Sequence, residues 1–258
     1  MPVVIASFNA NGVRARMPIV LQWLTQNQPD VLCIQETKVQ DAEFPSGEFE
    51  NIGYHCAFRG QKSYNGVAIL SKGTVQQVTF GLDTEPKDEP RLIRASISGI
   101  DIVNTYIPQG RDPDSEHFEN KLNWFARLAE YFKTQFDPDD PLVWVGDLNI
   151  APEPRDVHSP ETLLGHVCFH PQVHQALARI MDWGFVDVFR QHCDEPDQYS
   201  FWDYRARNAV QRNRGWRLDH IMATKPLAAR STACYIDKKP RLADRPSDHT
   251  PVVATFDW

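Results

Sequence analysis

No stretch of this chain is long and apolar enough to span a membrane. The N-terminus lacks a basic opening, a long apolar core and a small-residue cleavage site, and Val3-Val4-Ile5-Ala6 is too short to serve as either. Neither a spanning helix nor a secretory leader is therefore expected. Paired cysteines are also missing. The five present (Cys33, Cys56, Cys168, Cys193, Cys234) are odd in number and irregularly spaced, with no C-x-x-C. This argues against a disulfide framework or a zinc site and for a reducing, cytoplasmic setting. Excess positive charge is absent too: the formal net charge is −7 and the pI near 5.7. A non-specific nucleic-acid coat protein is thereby excluded. There is no low-complexity segment and no linker-like shift in composition, so residues 1–258 are expected to form one domain.

The charge that is present is unevenly spread. The segment from Tyr204 to Arg217 holds Arg205, Arg207, Arg212, Arg214 and Arg217 with no acid among them. Acidic residues gather instead in Asp83–Glu89 and Asp137–Asp140.

Short apolar runs dominate the rest. Val3–Phe8, Val31–Ile34, Tyr54–Phe58, Val67–Leu70, Leu142–Val145, Leu218–Met222 and Val252–Phe256 read as strands. Leu92–Ile97 and Ile100–Ile107 bracket Ser98-Gly99 as a hairpin. Pro18 suits the first turn of a helix whose apolar stripe includes Ile19 and Trp23. Phe118, Leu122, Phe125, Leu128 and Phe132 predict a second helix from about Ser115 to Phe136. A third opens at Pro171 and closes at Gly184. The strand-rich halves, Val3–Ile107 and Leu142–Trp258, predict an α/β fold of two sheets packed face to face with helices outside.

Nearly every apolar run ends in a residue capable of chemistry: Asn9, Glu36, Tyr106, Asp147 with Asn149, and Asp219. Ser247-Asp248-His249 precedes the last run. Each alone also reads as a turn, cap or core residue. Asp147 and Asn149, two apart at the end of a buried run, are expected to project to one side. Together the set offers hard oxygen ligands, a histidine and neutral donors. That chemistry suits Mg²⁺ or Mn²⁺ and the hydrolysis of a phosphate ester.

His166, His170 and His174 are spaced i, i+4 and i+8. Pro171 interrupts the helix that would align them, so a DNA-facing loop or plain surface is expected there, not a metal site.

Six blocks occur in order: Ser7-Phe8-Asn9-Ala10-Asn11-Gly12, Gln35-Glu36-Thr37-Lys38, Tyr106-Ile107-Pro108-Gln109-Gly110, Gly146-Asp147-Leu148-Asn149, Gly215-Trp216-Arg217-Leu218-Asp219 and Ser247-Asp248-His249. Together they resemble the exonuclease III family of apurinic/apyrimidinic endonucleases, within the endonuclease/exonuclease/phosphatase superfamily. Tyr199–Arg205 and Gly215–Asp219 point to its DNA-repair branch.

The resemblance implies a four-layer α/β sandwich with two mainly antiparallel sheets and the site at one edge. It implies Glu36 as the principal Mg²⁺ ligand (Mn²⁺ as a substitute), joined by Asn9 and Asp248, with Asp147 and Asn149 nearby and one ion or two. Asp147 would activate water and Asn149 would help hold it. His249, oriented by Asp219, would contact the phosphate, and Tyr106 would stabilise charge. Arg205, Arg212, Arg214, Trp216, Gln109 and Lys38 would contact DNA, and Phe201 with Trp216 would receive a sugar that has lost its base. Trp202 reads as core. Some relatives carry Asp where this chain has Asn11, which removes one carboxylate from the cluster.

The implied activity is incision of duplex DNA 5′ to an abasic site, leaving a 3′-hydroxyl, with exonuclease and 3′-end cleaning as companions. The implied protein is a monomer, not membrane-bound, found on the nucleoid when acting on abasic sites or damaged 3′ ends. Two rivals stand beside this reading. One is the same chemistry on another phosphate ester, such as a lipid head group. The other is a non-catalytic DNA-binding relative, which would be expected to have lost Glu36, Asp147, Asp219 or His249; all four are present.

Overall fold

The computed structural model describes residues 2–82 and 87–258. Of the acidic cluster Asp83–Glu89, residues 83–86 lie outside this range. Twelve strands are found among the described residues. They are β1 (Pro2–Asn9), β2 (Val31–Gln35), β3 (His55–Arg59), β4 (Val67–Ser71), β5 (Gln76–Phe80), β6 (Leu92–Ile97), β7 (Ile100–Tyr106), β8 (Leu142–Asp147), β9 (Phe185–Asp187), β10 (Asp219–Thr224), β11 (Ser231–Ile236) and β12 (Val252–Asp257). The helices that cover them are α1 (Met17–Asn27), α2 (Ser46–Glu50), α3 (Glu116–Gln135), α4 (Pro160–Leu163), α5 (Pro171–Gly184), α6 (Val188–His192) and α7 (Lys225–Ala228).

The strands form two six-stranded sheets, ordered β11-β12-β1-β2-β4-β3 and β5-β6-β7-β8-β10-β9. The expected division into halves is corrected here. The C-terminal pair β11–β12 joins the sheet of β1, while β5–β7 join the sheet of β8. Each sheet is antiparallel except for one parallel pair, β1 with β2 and β7 with β8. Strands β5 and β11 have no apolar run and were not anticipated.

Alternation within β8 shows how the layers close. Val143 and Val145 face the other sheet and pack with Ile5, Cys33, Ile69 and Ile221. Leu142 and Trp144 face outward and pack with Phe125, Leu128 and Phe132 of α3 and with Val173 and Ile180 of α5. On the opposite side, Val20, Trp23 and Leu24 of α1 cover Phe8, Leu32 and Leu70. Ile19 is only half-buried. Strands buried on both faces explain why the runs read as continuous apolar stretches.

The pairing also explains why the chemical residues share one edge. β1 and β2 run parallel, so Asn9 and the residue after Gln35 end together. Tyr106 stands beside Asp147, and Asp219, opening an antiparallel strand, stands on its other side. β12 runs antiparallel to β1, so the segment that precedes it arrives at the same edge. Gly146 permits this packing, because a Cβ there would lie 1.9 Å from the Thr105 carbonyl oxygen.

Candidate active site

Strand β1 ends in a buried carboxamide that joins the two sheets. Asn9 Nδ2 donates to Glu36 Oε1 and to Asp147 Oδ2, each at 2.8 Å. Glu36 itself follows β2 in a left-handed turn, with φ 50°. Such a conformation costs a non-glycine residue on the order of 1 kcal/mol and must be held by its surroundings. Here the backbone N–H of Gly12 donates to the Glu36 carbonyl at 2.7 Å, and Thr37 N–H donates to Gly66.

Asp147 closes β8 and uses both oxygens. Oδ2 accepts from Asn9, and Oδ1 accepts from the backbone N–H of Asn149 at 2.9 Å. Asp147 therefore makes a turn contact and also lines the cleft. Asn149 is a correction. It lies beyond the strand with φ 49°, and its Nδ2 donates to the Ile107 carbonyl at 2.9 Å, so it lines the cleft beside Asp147 by way of a turn and not by strand alternation.

His249 sits between two carboxylates. Its Nδ1–H donates to Asp219 Oδ2 at 2.7 Å, and its Nε2 lies 3.6 Å from Asp147 Oδ2. Ser200 Oγ accepts from the N–H groups of Leu218 and Asp219 and fixes the start of β10. The other oxygen of Asp219 is buried without a partner, so its charge is directed to the imidazole.

Burial favours a neutral imidazole, but Asp219 and Asp147 outweigh it and raise the His249 pKa, keeping the ring protonated. Burial raises the Asp147 pKa, with His249 opposing and Asp219 and Glu36 adding. Burial acts upward on Glu36 as well, but Lys38 and Asn9 prevail and its pKa is lowered. Tyr106 stays neutral, its pKa raised by burial and by the charges of Glu36 and Asp147.

Glu36, Asp147 and His249 each present a ligand atom within 4.8 Å of the other two. This is the group of described residues able to hold a metal ion. Lys38 Nζ lies 2.7 Å from Glu36 Oε2, so the carboxylate already holds a cation. Two converging carboxylates with that preference fit a hard divalent ion. Of the expected ligands, Glu36 and Asp147 belong to this group. Asp248 lines the same cleft but stands outside the group, and its Oδ1 accepts from Asn11 Nδ2 at 2.9 Å.

The cleft has a volume of about 500 Å³. Phe201 packs on His249 with ring centroids 4.8 Å apart, and Trp216 packs on His166 at the same separation. Both aromatics line the cleft, as do Gln109 and Arg205. Trp202 is core, as expected, packed with Tyr199 and Ala209.

The Lys38 ammonium also donates to Asn11 Oδ1 and faces the acidic group. Arg205 is exposed but tied to Asp203 at 2.8 Å. Arg207, Arg212 and Arg214 are exposed. Arg217, counted with the basic segment, is fully buried, paired with Asp156 at 2.7 Å and Asp187 at 2.8 Å. The three histidines serve separate ends: His166 lines the cleft, His170 caps α5 and His174 bonds the Ala151 carbonyl.

Sequence reasoning missed Arg111 and Cys168 as cleft residues, since each lies in a loop with no periodic signal, while His166, expected on a DNA-facing loop or plain surface, lines the cleft. It also missed Lys121, whose position within the apolar stripe of α3 was a readable signal.

Comparison with known proteins agrees with this geometry. Residues 6–249 match the family model described as "Endonuclease/Exonuclease/phosphatase family". The chain is 34% identical to an exodeoxyribonuclease III of Haemophilus influenzae, covering 97% of this chain and 98% of that one. It superposes on an AP endonuclease from Archaeoglobus fulgidus with a TM-score of 0.97 and 52% identity, over 99% of this chain and 100% of the other. A 3′-5′ exonuclease from Neisseria meningitidis gives 0.96 and 38%, over the same shares. The chain belongs to the endonuclease/exonuclease/phosphatase family, in its exonuclease III branch. No helix among the described residues is long and apolar enough to cross a membrane.

Proposed function

We propose that this chain is a Mg²⁺-dependent DNA-repair phosphodiesterase. It incises duplex DNA 5′ to an abasic site and leaves a 3′-hydroxyl, with 3′-5′ exonuclease and 3′-end-cleaning activity beside it. The observation that carries this reading is one cleft in which Glu36, Asp147 and His249 converge beside the Phe201 and Trp216 rings. The relatives support it. Their names include an exodeoxyribonuclease and an AP endonuclease, and a 3′ phosphatase from Neisseria, 37% identical with a TM-score of 0.96, was solved with a product DNA hairpin.

Glu36 and Asp147 would hold the ion, with His249 alongside. Bound magnesium would supply charge neutralisation at the phosphate oxygens. The chain's own residues do the rest. Asp147, its proton affinity raised by burial, orients the attacking water and takes its proton. The His249 imidazolium, fixed by Asp219, donates to a non-bridging phosphate oxygen. The neutral Tyr106 hydroxyl donates to the same charge as it grows. The aromatic pair excludes water from a sugar that no base holds in the stack.

The test is a duplex carrying one tetrahydrofuran abasic analogue, incubated with the protein and Mg²⁺ and then with EDTA. Single incision 5′ to the analogue, abolished by EDTA and by Asp147→Asn, is expected. Intact duplex with the wild-type protein, or undiminished cutting by Asp147→Asn, would refute the reading.

A further inference from the structure

Helix α3 carries one charge that does not reach water. Lys121 lies on the face that also bears Phe118, Phe125 and Leu128, and it is fully buried. Burial of an ammonium is costly unless its donors are satisfied. Among the described residues it has no carboxylate in contact. Its three N–H groups donate instead to three backbone carbonyls: Asn149 at 2.7 Å, Val167 at 2.7 Å and Gln109 at 3.1 Å. An ammonium has three donors, and all are used.

The three carbonyls belong to separate segments of the chain. Gln109 follows β7, Asn149 follows β8, and Val167 lies in the loop before α5. Each segment delivers a residue to the cleft: Gln109 with Arg111, Asn149, and His166 with Cys168. The second and third segments are joined again by the Ala151 N–H, which donates to the Cys168 carbonyl at 2.8 Å. The first wraps closely around the lysine stem. A Cβ at Gly110, whose φ is +96°, would come within 3.2 Å of Lys121 Cδ. A helix that only had to fill the core would place Leu or Met at this position. The charge is kept where three carbonyls need a common donor.

We propose that Lys121 is a positioning residue for the hydrolytic reaction. Its buried ammonium ties the segments after β7 and β8 and the loop before α5 into one rigid wall facing Asp147. The proposal rests on the hydrolytic reading above. Lys121 touches neither substrate nor water in this role. It acts through the backbone that carries Gln109, Asn149 and His166. Misplacement of such groups by an ångström is enough to slow an enzyme by orders of magnitude.

The experiment compares the wild-type protein with Lys121→Met, which removes all three donors, and Lys121→Gln, which keeps two. Each is assayed on the tetrahydrofuran duplex with Mg²⁺ and followed by hydrogen–deuterium exchange. The expected result is a fall in kcat of about tenfold or more for Lys121→Met, with KM within about threefold of the wild type. Lys121→Gln should lie between the two. Amide exchange should accelerate in residues 108–112, 148–151 and 165–169 while the sheets stay protected. A folded Lys121→Met with wild-type kcat would overturn the proposal, as would exchange rising equally throughout the chain. If Lys121→Met does not accumulate as folded protein, Lys121→Gln carries the same comparison. Lack of incision by the wild-type protein would refute the hydrolytic reading alone, and the exchange pattern would still decide the tie.

Discussion

Asn9 donates a 2.8 Å hydrogen bond to Asp147 across the interface between the two sheets, linking residues 138 apart in the chain. The same amide holds Glu36. One neutral side chain thus sets the separation of the two carboxylates on which the cleft depends. Asn9→Ala should leave both without their shared donor. Hydrogen bonds to charged groups contribute about 1.5–3 kcal/mol each, so a fall in stability of that order is expected. Incision should fall by at least about tenfold, since the carboxylates lose their fixed geometry. Calorimetric titration with Mg²⁺ should show weaker binding, and wild-type affinity in the variant would contradict the assignment.

Asp219 accepts a hydrogen bond from His249 Nδ1–H at 2.7 Å, and its charge also reaches Asp147. Asp219→Asn keeps the shape but removes the charge that raises the imidazole pKa. The His249 pKa should therefore drop, and the ring should be neutral at a pH where the wild-type ring is protonated. Rates should decrease by about 10²–10³, the usual worth of a preorganised donor to a developing negative charge. NMR titration of the His249 ring beside single-turnover rates would check both effects.

Stability should decline on acidification in two stages, and the buried cluster behind β10 accounts for them. His220 Nδ1 accepts from Arg217 at 3.0 Å, and its Nε2–H donates to the Ile150 carbonyl at 2.8 Å. Burial, reinforced by Arg217, depresses its pKa from 6.5 to about 4. The unfolded chain therefore binds a proton that the folded chain refuses, and stability is lost as the pH falls from about 6.5 towards 4. Asp156 follows. Burial would raise its pKa, but Arg217 and Arg190 lower it from 3.8 to about 2. Its contribution, on the order of 2 kcal/mol, is present above pH 4 and disappears as the pH approaches 2. Urea titrations at pH 7, 5 and 3 should show successive losses. Arg217→Met should abolish much of the pH dependence below 4, at a large cost in stability, because it leaves Asp156 and Asp187 without their shared cation.

Arg212 and Arg214 are exposed and lie outside the buried network. Replacing both by Ala should weaken duplex binding without altering the cleavage position. The slope of log K against log salt should become shallower by about 0.9 for each phosphate that is no longer neutralised. Arg205→Ala should do less, since its guanidinium is already paired with Asp203. Binding isotherms between low and moderate salt would measure each slope.

The strands that could be read from sequence are those buried on both faces, because burial writes a continuous apolar run. β5 and β11 could not be read that way. Residues Gln76–Val78 are exposed and Ser231–Ile236 are mostly half-exposed or exposed. These strands sit at sheet edges, where little apolar signal is required. Sheet membership was not legible either, since pairing of β1 with β12 is decided by contacts between the two ends of the chain. Within the site, Glu36, Asp147 and His249 were legible because each closes or precedes a buried strand. Arg217 was counted with the acid-free segment, and its burial was not legible because Asp156, its partner, lies 61 residues away. The Asn149 side chain reaches the cleft by a turn that was not legible, since the strand ends two residues earlier than its apolar neighbours suggest.

The pairing of β12 with β1 has a consequence for biosynthesis. Asn9 accepts through its carbonyl a hydrogen bond from Ser247, 238 residues further along the chain. Strand β1 stays unpaired on one side until β12 has left the ribosome. A nascent chain therefore carries Glu36 and Asp147 without His249 beside them until the segment before β12 has been made. The cleft is completed only by a segment made long after its carboxylates.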